Sequence, residues 1–274
     1  MKGLPVPGHT FDEAIALDTT EAKGVLRGHT SPEWANMVGP FGGVTAAALL
    51  RAVQLQPDRI GEPVSLTVNF AAPVLDGAFD IVAKAVRTNR TNQHWVVELW
   101  QEGSVRTNAT AVFGTRRDTW SETEQVWPSV PAPEDIAPTG LPEIVVWAGN
   151  YDMRYVEGAV PGQDSGPAES STTTLWARDK QGRALDFPAL TALSDIFYPR
   201  VYLRRGGMSP AGTISLTTYF HTDGDELAAA GGDFALCRAR ANRFSRGYFD
   251  QSAEIWSRSG ELLATTHQLV YFKD

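Results

Sequence analysis

The sequence predicts an α+β protein of two similar modules, each a central helix followed by an antiparallel sheet whose inner face wraps that helix. Two observations lead to this prediction. The hexapeptide SLTVNF at 65–70 returns as SLTTYF at 215–220, a displacement of 150 positions. Each copy follows a helical run of small and apolar residues and precedes extended segments rich in arginine and asparagine. The same order of elements on both sides indicates two copies of one module.

The first module contains one helix and several strands. The run GGVTAAALLRAVQ, which starts at Gly42, has the length and composition of a helix. Beyond it, Leu66 and Val68 alternate with polar residues, which is typical of a strand covered on one face only. The tetrapeptide QEGS, which follows Trp100 and contains Gly103, is predicted to be a hairpin turn.

A proline-rich segment separates the modules. Four prolines lie close together among acidic and small residues, namely Pro128, Pro131, Pro133 and Pro138. Such a segment cannot sustain a helix or a central strand, so we interpret it as a connector. The predicted division is an N-terminal module at 1–116, a connector at 117–142 and a C-terminal module at 143–274.

The second module repeats the order of the first. A helical run, FPALTALSDIFY, starts at Phe187 and precedes the strand SLTTYF. Trp256 stands before the turn SRSGE with Gly260, as Trp100 stands before Gly103 in the first copy. The shared tryptophan and glycine indicate that the hairpins of the two modules correspond.

The composition excludes several classes of function. The formal net charge of −8 opposes the basic surface that nucleic acids or anionic membranes attract. A single cysteine, Cys237, cannot form an internal disulfide, and the five histidines lack the spacing of a structural zinc site. The longest apolar run, around GGVTAAALL, is far short of a membrane span. We therefore expect a cytoplasmic protein with no metal, no nucleic-acid partner and no membrane insertion.

One carboxylate stands out in the second helical run. The stretch LTALSDIFYP, residues 190–199, is predicted to be one short helix with Asp195 on its polar side. That side carries one charge among hydroxyl groups, so it fits an internal site, although a solvated aspartate remains the alternative. If Thr45 is matched to Thr191, the first copy has Leu49 at this position. An acidic residue in one copy only suggests a single, asymmetric active site.

Two further polar residues lie on strands of the second module. Gln268 shares a face of the last strand with residues that are mostly apolar, so its amide needs hydrogen-bond partners. The first copy has Ala109 or Thr110 there. A neighbouring backbone group is an alternative partner for the glutamine. Thr213 begins the strand TISLTTYFH and, taken alone, is ordinary β-branched strand material.

Gly42 and Gly43 precede the first helix and allow another group to approach the backbone closely. The free N–H groups at a helix start, reinforced by the helix dipole, can bind a developing oxyanion. The alternative is a tight turn that requires positive φ.

Five segments in the same order resemble the double-hotdog acyl-CoA thioesterases of the TesB-like, or thioesterase II, type. They are GPFGGVTAAALLRA at 39–52, SLTVNFAAPV at 65–74, LSDIFYP at 193–199, TISLTTYFH at 213–221 and TTHQLVYF at 265–272. The resemblance covers nearly all of the chain outside the connector. It implies a tandem hotdog fold, a homo-oligomer and hydrolysis without a cofactor.

The resemblance also implies roles for individual residues. In that family an aspartate, a hydroxyl residue and a glutamine hold the attacking water, and these positions are Asp195, Thr213 and Gln268 in this chain. The family pattern places the thioester carbonyl at the helix start formed by Gly42 and Gly43. The expected partner is an acyl-CoA.

Three arginines follow the second helical run in YPRVYLRRGG, namely Arg200, Arg204 and Arg205. They are candidates to contact the phosphates of CoA, with solvated loop arginines as an equally good interpretation.

The resulting hypothesis is an acyl-CoA thioesterase in which Asp195 directs water at a thioester. Two alternatives stay open. A hotdog enoyl-CoA hydratase or dehydratase would need a histidine paired with a carboxylate, and no such pair is visible in the sequence. A non-catalytic acyl-CoA or lipid-binding protein would keep the scaffold, but a passive pocket does not require three polar residues in one module.

Overall fold

One continuous antiparallel sheet runs through both halves of the chain. The computed structural model describes residues 8–22, 24–139, 144–162 and 165–273. Residues 1–7 and 23 of the predicted first module, 140–142 of the connector, and 143, 163–164 and 274 of the second module lie outside the described residues.

The described residues contain strands from both halves of the chain. The first half supplies β1 (Asp18–Thr19), β2 (Val25–His29), β3 (Glu62–Phe70), β4 (Ala78–Thr88), β5 (Asn92–Gln101) and β6 (Ser104–Gly114). The second half supplies β7 (Tyr151–Glu157), β8 (Thr173–Asp179), β9 (Ala211–Phe220), β10 (Ala235–Arg240), β11 (Phe244–Ser245), β12 (Tyr248–Trp256) and β13 (Leu262–Phe272). The helices are α1 (Thr10–Ala14), α2 (Gly42–Gln54), α3 (Phe187–Leu193), α4 (Arg200–Arg205) and α5 (Gly224–Ala230).

The strand order reads almost the same from either end. It is β1-β2-β4-β5-β6-β3-β9-β13-β12-β10-β8-β7, with the short β11 paired to β12. At the centre β3 pairs with β9, and Thr67 lies opposite Thr217 with 3.0 Å between their hydroxyl oxygens. These two threonines are 150 positions apart, which is the displacement of the repeated hexapeptide. The prediction of an α+β fold made of two similar modules is therefore confirmed, with an approximate two-fold axis at this pair.

The central helices α2 and α3 contact each other between the two halves of the sheet. Helix α2 is buried along most of its length, and Ala46, Ala47 and Ala48 are almost fully enclosed. Because alanine is small, the helix fits closely against the inner faces of β3, β4 and β5. One hydrophobic core includes residues of both modules, so the two modules share their interior.

Both predicted hairpins are present. Strands β5 and β6 are joined at Glu102 and Gly103, which have φ values of 52° and 72°. Positive φ at both central residues is the geometry of a type I′ turn, whose twist matches that of the flanking strands. Strands β12 and β13 are joined by a longer turn that contains Gly260.

The described part of the connector contains no strand or α-helix, as expected, but it packs closely on the second module. Trp127 lies with its ring centroid 6.0 Å from that of Trp176 and 5.7 Å from that of Trp256. The Trp176 indole donates a hydrogen bond of 2.9 Å to the Pro131 carbonyl. The connector thus covers two buried aromatic side chains of the second module, Trp176 and Trp256.

Among the described residues, no helix has both the length and the apolar character required to cross a bilayer.

Candidate active site

Thr213 and Gln268 are brought together by the pairing of β9 with β13. Thr213 lies opposite Val270, and Gln268 lies opposite Leu216. Gln268 points to the interior and is 2% exposed, whereas its neighbour His267 points outward. The predicted inner face of the last strand is confirmed for this part of β13.

The register corrects the expected counterpart of Gln268 in the first module. Leu216 pairs with Gln268, and its equivalent Leu66 pairs with Ala111. The counterpart is therefore Ala111, and the sequence-based choice of Ala109 or Thr110 was wrong. The reason is that the lengths of the β5–β6 and β12–β13 turns differ, so the hairpins cannot be aligned by counting from the turn.

Asp195 does not lie within a helix, so the prediction of one helix over 190–199 was wrong. Helix α3 ends at Leu193, and α4 begins at Arg200. The hydroxyls of Thr191 and Ser194 donate to carbonyls one turn earlier, at 2.8 and 3.0 Å. Such bonds bend helices, and the following proline, Pro199, disfavours helical backbone at the residue before it. Asp195 thus occupies the turn after α3.

The three predicted polar residues form a hydrogen-bonded chain. Gln268 Nε2 donates to Asp195 Oδ1 at 2.9 Å, and Thr213 Oγ1 donates to Gln268 Oε1 at 3.4 Å. The same Nε2 lies 3.4 Å from the carbonyl oxygen of Ser194. The Gln268 amide therefore has partners on both sides, and its orientation holds the Asp195 carboxylate in place.

The start of α2 closes the other side of Asp195. The backbone N–H of Gly43 hydrogen-bonds to the Asp195 carboxylate. A Cβ atom at Gly42 would lie 2.5 Å from Asp195 Oδ2, and one at Gly43 would lie 2.6 Å from the Ala192 carbonyl. The absence of a side chain at Gly42 thus leaves room for the Asp195 carboxylate, and its absence at Gly43 lets α2 approach the backbone of α3. The Gly43 amide faces the carboxylate, and its service as an oxyanion donor stays a prediction.

Burial raises the pKa of Asp195 to about 7, because the charged carboxylate loses hydration in the interior. The hydrogen bonds from Gln268 and from the Gly43 amide act in the opposite direction, since they favour the charged form. A carboxyl group with this pKa can take up and release a proton near neutral pH.

Asp195, Thr213 and Gln268 line one cavity of about 160 Å³. Its wall is mostly aromatic and aliphatic, and it includes Phe41, Trp147, Ile196, Phe197, Tyr155, Tyr202 and Val270. An apolar cavity with a few convergent polar groups is the usual form of a small-molecule site. Among the described residues, no group of three or more His, Cys, Asp or Glu side chains is arranged to hold a metal ion.

Arg200 cannot contact the phosphates of CoA because its side chain is buried, so the prediction for this residue was wrong. Its side chain is fully buried and donates to the Tyr198 carbonyl, 3.0 Å from Nε, and to the Thr173 hydroxyl. Burial lowers its pKa to about 10. Arg204 and Arg205 are exposed at the end of α4, and their contact with CoA stays a prediction.

The sequence reasoning missed several other polar side chains of the cavity wall, namely Asn36, Trp147, Tyr155, Tyr198, Tyr202 and Gln251. Gln251 lies on β12 directly opposite Gln268. Its alternation with buried Phe249 and Ala253 in YFDQSAEIW was a usable signal, because that pattern places all three on the inner face.

Two sequence models of protein domains match the chain. The acyl-CoA thioesterase N-terminal domain matches residues 30–114, and the acyl-CoA thioesterase C-terminal domain matches residues 126–272. No protein of curated function matches at a significant level.

Solved structures include similar proteins. A conserved protein of unknown function with a hotdog fold from Alicyclobacillus acidocaldarius is 45% identical, with a TM-score of 0.92 over 97% of this chain and 98% of that one. The tesB protein of Mycobacterium avium subsp. paratuberculosis is 18% identical, with a TM-score of 0.79 over 96% and 98%. An acyl-CoA thioesterase II, TesB2, from Mycobacterium marinum is 18% identical, with a TM-score of 0.74 over 96% and 98%. The last two similarities show the shared fold.

Proposed function

The chain belongs to the acyl-CoA thioesterase family, and from this premise we propose that it hydrolyses an acyl-CoA to a free acid and CoA. The observation that carries the proposal is the Asp195 carboxyl group, which has a pKa near 7, hydrogen-bonds to Gln268 and lines an apolar cavity. Burial and a partner of this kind tune a carboxylate for proton transfer at neutral pH.

In the proposed reaction Asp195 is the general base. It accepts a proton from a water molecule while the water oxygen forms a bond to the thioester carbon. Gln268 orients the carboxylate through its 2.9 Å hydrogen bond, and Thr213 orients Gln268. The tetrahedral intermediate then breaks its carbon–sulfur bond, which releases the acid and a thiolate.

The start of α2 is the proposed site of oxyanion stabilisation. Its backbone N–H groups and the positive end of the helix dipole favour negative charge there. In the free protein the Gly43 N–H binds the Asp195 carboxylate. When Asp195 takes up the proton, this hydrogen bond weakens and the amide becomes available as the oxyanion forms. Loss of one such donor typically costs about 10²-fold in rate.

The leaving group needs little assistance. A thiol has an ordinary pKa of about 8.5, so a thiolate departs without a strong proton donor. The proton held by Asp195 can pass to the thiolate or to solvent, which restores the carboxylate for the next turnover. The proposed reaction therefore has no need of histidine, metal or cofactor.

The hydratase alternative lacks its key residue pair at the cavity. None of the described residues that line the cavity is a histidine. The contacts of His9 with Asp179, at 3.2 Å, and of His267 with Asp250, at 3.5 Å, involve residues outside that lining. Hydrolysis is thus better supported than hydration.

The test is release of free thiol from a panel of acyl-CoAs by the wild type and by Asp195→Asn. We expect turnover by the wild type and a loss of at least about 10²-fold in kcat for the variant. His267→Gln, which changes the outward neighbour of Gln268, is the matched control and should keep full activity. Tight binding of acyl-CoA without thiol release would instead support a passive binding protein. The cytoplasmic location and the homo-oligomer are proposals that this assay does not address.

A further inference from the structure

Arg200 is a buried cation that has no acidic partner. It is the first residue of α4, and its side chain is fully enclosed. Among the described residues, no carboxylate interacts with its guanidinium, whereas the largely buried Arg183 is held by Asp12 and Asp186 at 2.7 Å each. A buried charge without a counter-ion costs folding free energy, so its presence points to a purpose other than stability.

The guanidinium of Arg200 joins two distant segments of backbone. Its Nε and Nη2 both donate to the carbonyl oxygen of Tyr198, 3.0 Å from Nε. Its Nη1 donates to the Thr173 hydroxyl and lies 3.4 Å from the carbonyl oxygen of Ser171. The planar fork of arginine allows these contacts in two directions at once. One side chain thus connects the backbone between α3 and α4 to the start of β8.

The segment that Arg200 contacts on β8 is itself fixed. Thr173 is fully buried, and its hydroxyl donates to the Gly158 carbonyl at 2.6 Å. The hydroxyl of Tyr198 donates to the same carbonyl at 2.7 Å. Tyr198 is therefore held at its carbonyl through Arg200 and at its hydroxyl by the backbone that follows β7. Both contacts tie it to the sheet.

Asp195 lies in the turn between α3 and α4, and the two ends of this turn are held by different contacts. On the α3 side, the Asp195 N–H donates to the Ala192 carbonyl at 3.1 Å. On the α4 side, Arg200 holds the Tyr198 carbonyl. The Asp195 carboxylate must keep its 2.9 Å hydrogen bond to Gln268, which belongs to β13. A displacement of about 1 Å would break that contact and can cost a large factor in rate.

We propose that Arg200 is a positioning residue for the hydrolysis, and this inference rests on the proposed function. Arg200 is absent from the described residues that line the cavity, so it acts through other residues and not on the substrate. By fixing the α4 side of the turn, it keeps the Asp195 carboxylate within hydrogen-bond distance of Gln268 and of the Gly43 amide.

The experiment compares kcat and KM in the wild type, Arg200→Met and Arg200→Lys, with the acyl-CoA that the wild type hydrolyses fastest. Methionine removes all the donors, whereas lysine keeps the charge and can donate to one carbonyl. We expect Arg200→Met to lower kcat by about 10- to 100-fold and to keep KM within about three-fold, because the cavity wall is unchanged. Arg200→Lys should recover part of the lost kcat.

Arg183→Met is the matched control, since it removes another largely buried arginine that does not line the cavity. It leaves two carboxylates without their partner, so it should lower Tm at least as much as Arg200→Met. Its kcat, measured at a temperature where all variants are folded, should stay within about three-fold of the wild type. An equal loss of kcat in the two variants, or no loss in Arg200→Met, would overturn the inference.

Thr173→Val provides a second test if Arg200→Met does not fold. Valine has the shape of threonine but lacks the hydroxyl that accepts from Arg200. We expect kcat to fall by about 3- to 10-fold at unchanged KM. A kcat equal to that of the wild type would show that this contact does not position the turn.

Crystal structures of the variants separate this inference from the proposed hydrolysis. The distance from Asp195 Oδ1 to Gln268 Nε2 should exceed about 3.5 Å in Arg200→Met and stay at 2.9 Å in Arg183→Met. If the wild type hydrolyses no acyl-CoA but the distance lengthens in Arg200→Met alone, hydrolysis fails and the positioning role stands. If the distance is unchanged in Arg200→Met, the positioning role fails, whatever the activity.

Discussion

The environment of a single carboxyl group governs the chemistry proposed for this protein. Asp195 is opposed by no cationic side chain in the interactions that set its pKa. Desolvation raises that pKa, and two neutral N–H donors, from Gln268 and Gly43, limit the rise. A cationic partner would hold the group ionised and weaken it as a base, whereas neutral donors orient it and leave its pKa near 7.

The pH dependence of kcat/KM tests this balance. Because the base form is the unprotonated carboxylate, activity should rise with pH through an apparent pKa near 7 and then level off. Gln268→Leu removes an N–H group that favours the charged form, so the rising limb should move to higher pH. The measurement is a pH–rate profile from pH 5 to pH 9. A limb that stays in place in Gln268→Leu, or moves in the outward-facing control His267→Gln, would argue against this account.

The charge on Asp195 that is needed for activity should lower the stability of the folded protein as the pH rises. The folded-state pKa of Asp195 lies above the ordinary aspartate value of 3.8, so its favourable contribution to stability is complete below about pH 4 and is lost as pH rises through about 7. Asp195→Asn does not titrate. As the pH rises from 4 to 8, the unfolding free energy of the variant should therefore increase relative to that of the wild type by about 4 kcal/mol. Urea unfolding at both pH values measures this gain, and a gain of the same size at pH 4 would contradict the prediction.

At the scale of elements, two adjacent glycines at the start of α2, Gly42 and Gly43, each lie close to a group of the second module. Gly42 faces the end of the Asp195 side chain, which can move. Gly43 faces the backbone carbonyl of Ala192 and the ring of Phe41, which cannot move without separating α2 from α3. The two adjacent glycines therefore serve the site and the packing, respectively.

Alanine at each glycine should separate these effects. Gly42→Ala should displace the carboxylate and lower kcat by about 10-fold or more, with little change in stability, because better helix propensity offsets the strain. Gly43→Ala should lower the free energy of unfolding by about 1–3 kcal/mol through overpacking. Thermal unfolding and thiol-release assays on both variants test this. Gly149→Ala is a control, since a Cβ at Gly149 meets no atom within 4 Å.

At the scale of the whole molecule, the two modules are joined too extensively to unfold separately. The sheet continues from β3 into β9, α2 packs on α3, and one core includes residues of both modules. Near the N-terminus, Phe11 of α1 lies under the Arg183 guanidinium of the second half, at 4.9 Å. If one half unfolded alone, the other would expose this apolar surface to water and lose the free energy that its burial contributes.

Calorimetry should therefore show one cooperative transition. We expect the calorimetric enthalpy to equal the van't Hoff enthalpy, as for a single folding unit. Two resolved transitions, or a plateau at half the ellipticity change in denaturant, would show that the modules unfold independently.

The sequence by itself determined the larger features of this protein. Repetition at a displacement of 150 residues, strand alternation and glycine-containing turns predicted two modules, their helices and their hairpins, because these features depend on local backbone preferences and on burial of one face. The same kind of reasoning selected Asp195, as the one charge on a polar helix side, and Gln268, as an amide on a mostly apolar strand face, whereas Thr213 was selected only through the resemblance to the thioesterase family.

Only the tertiary structure decided how these residues meet. The helix end before Asp195 depends on hydroxyl groups that bond back to the backbone, and the burial of Arg200 depends on the carbonyls around it. The counterpart of Gln268 and the position of Gln251 follow from strand register, which long-range pairing sets. Local sequence specifies which residues favour a strand or a turn, but the neighbours that complete or withhold a hydrogen bond come from distant parts of the chain.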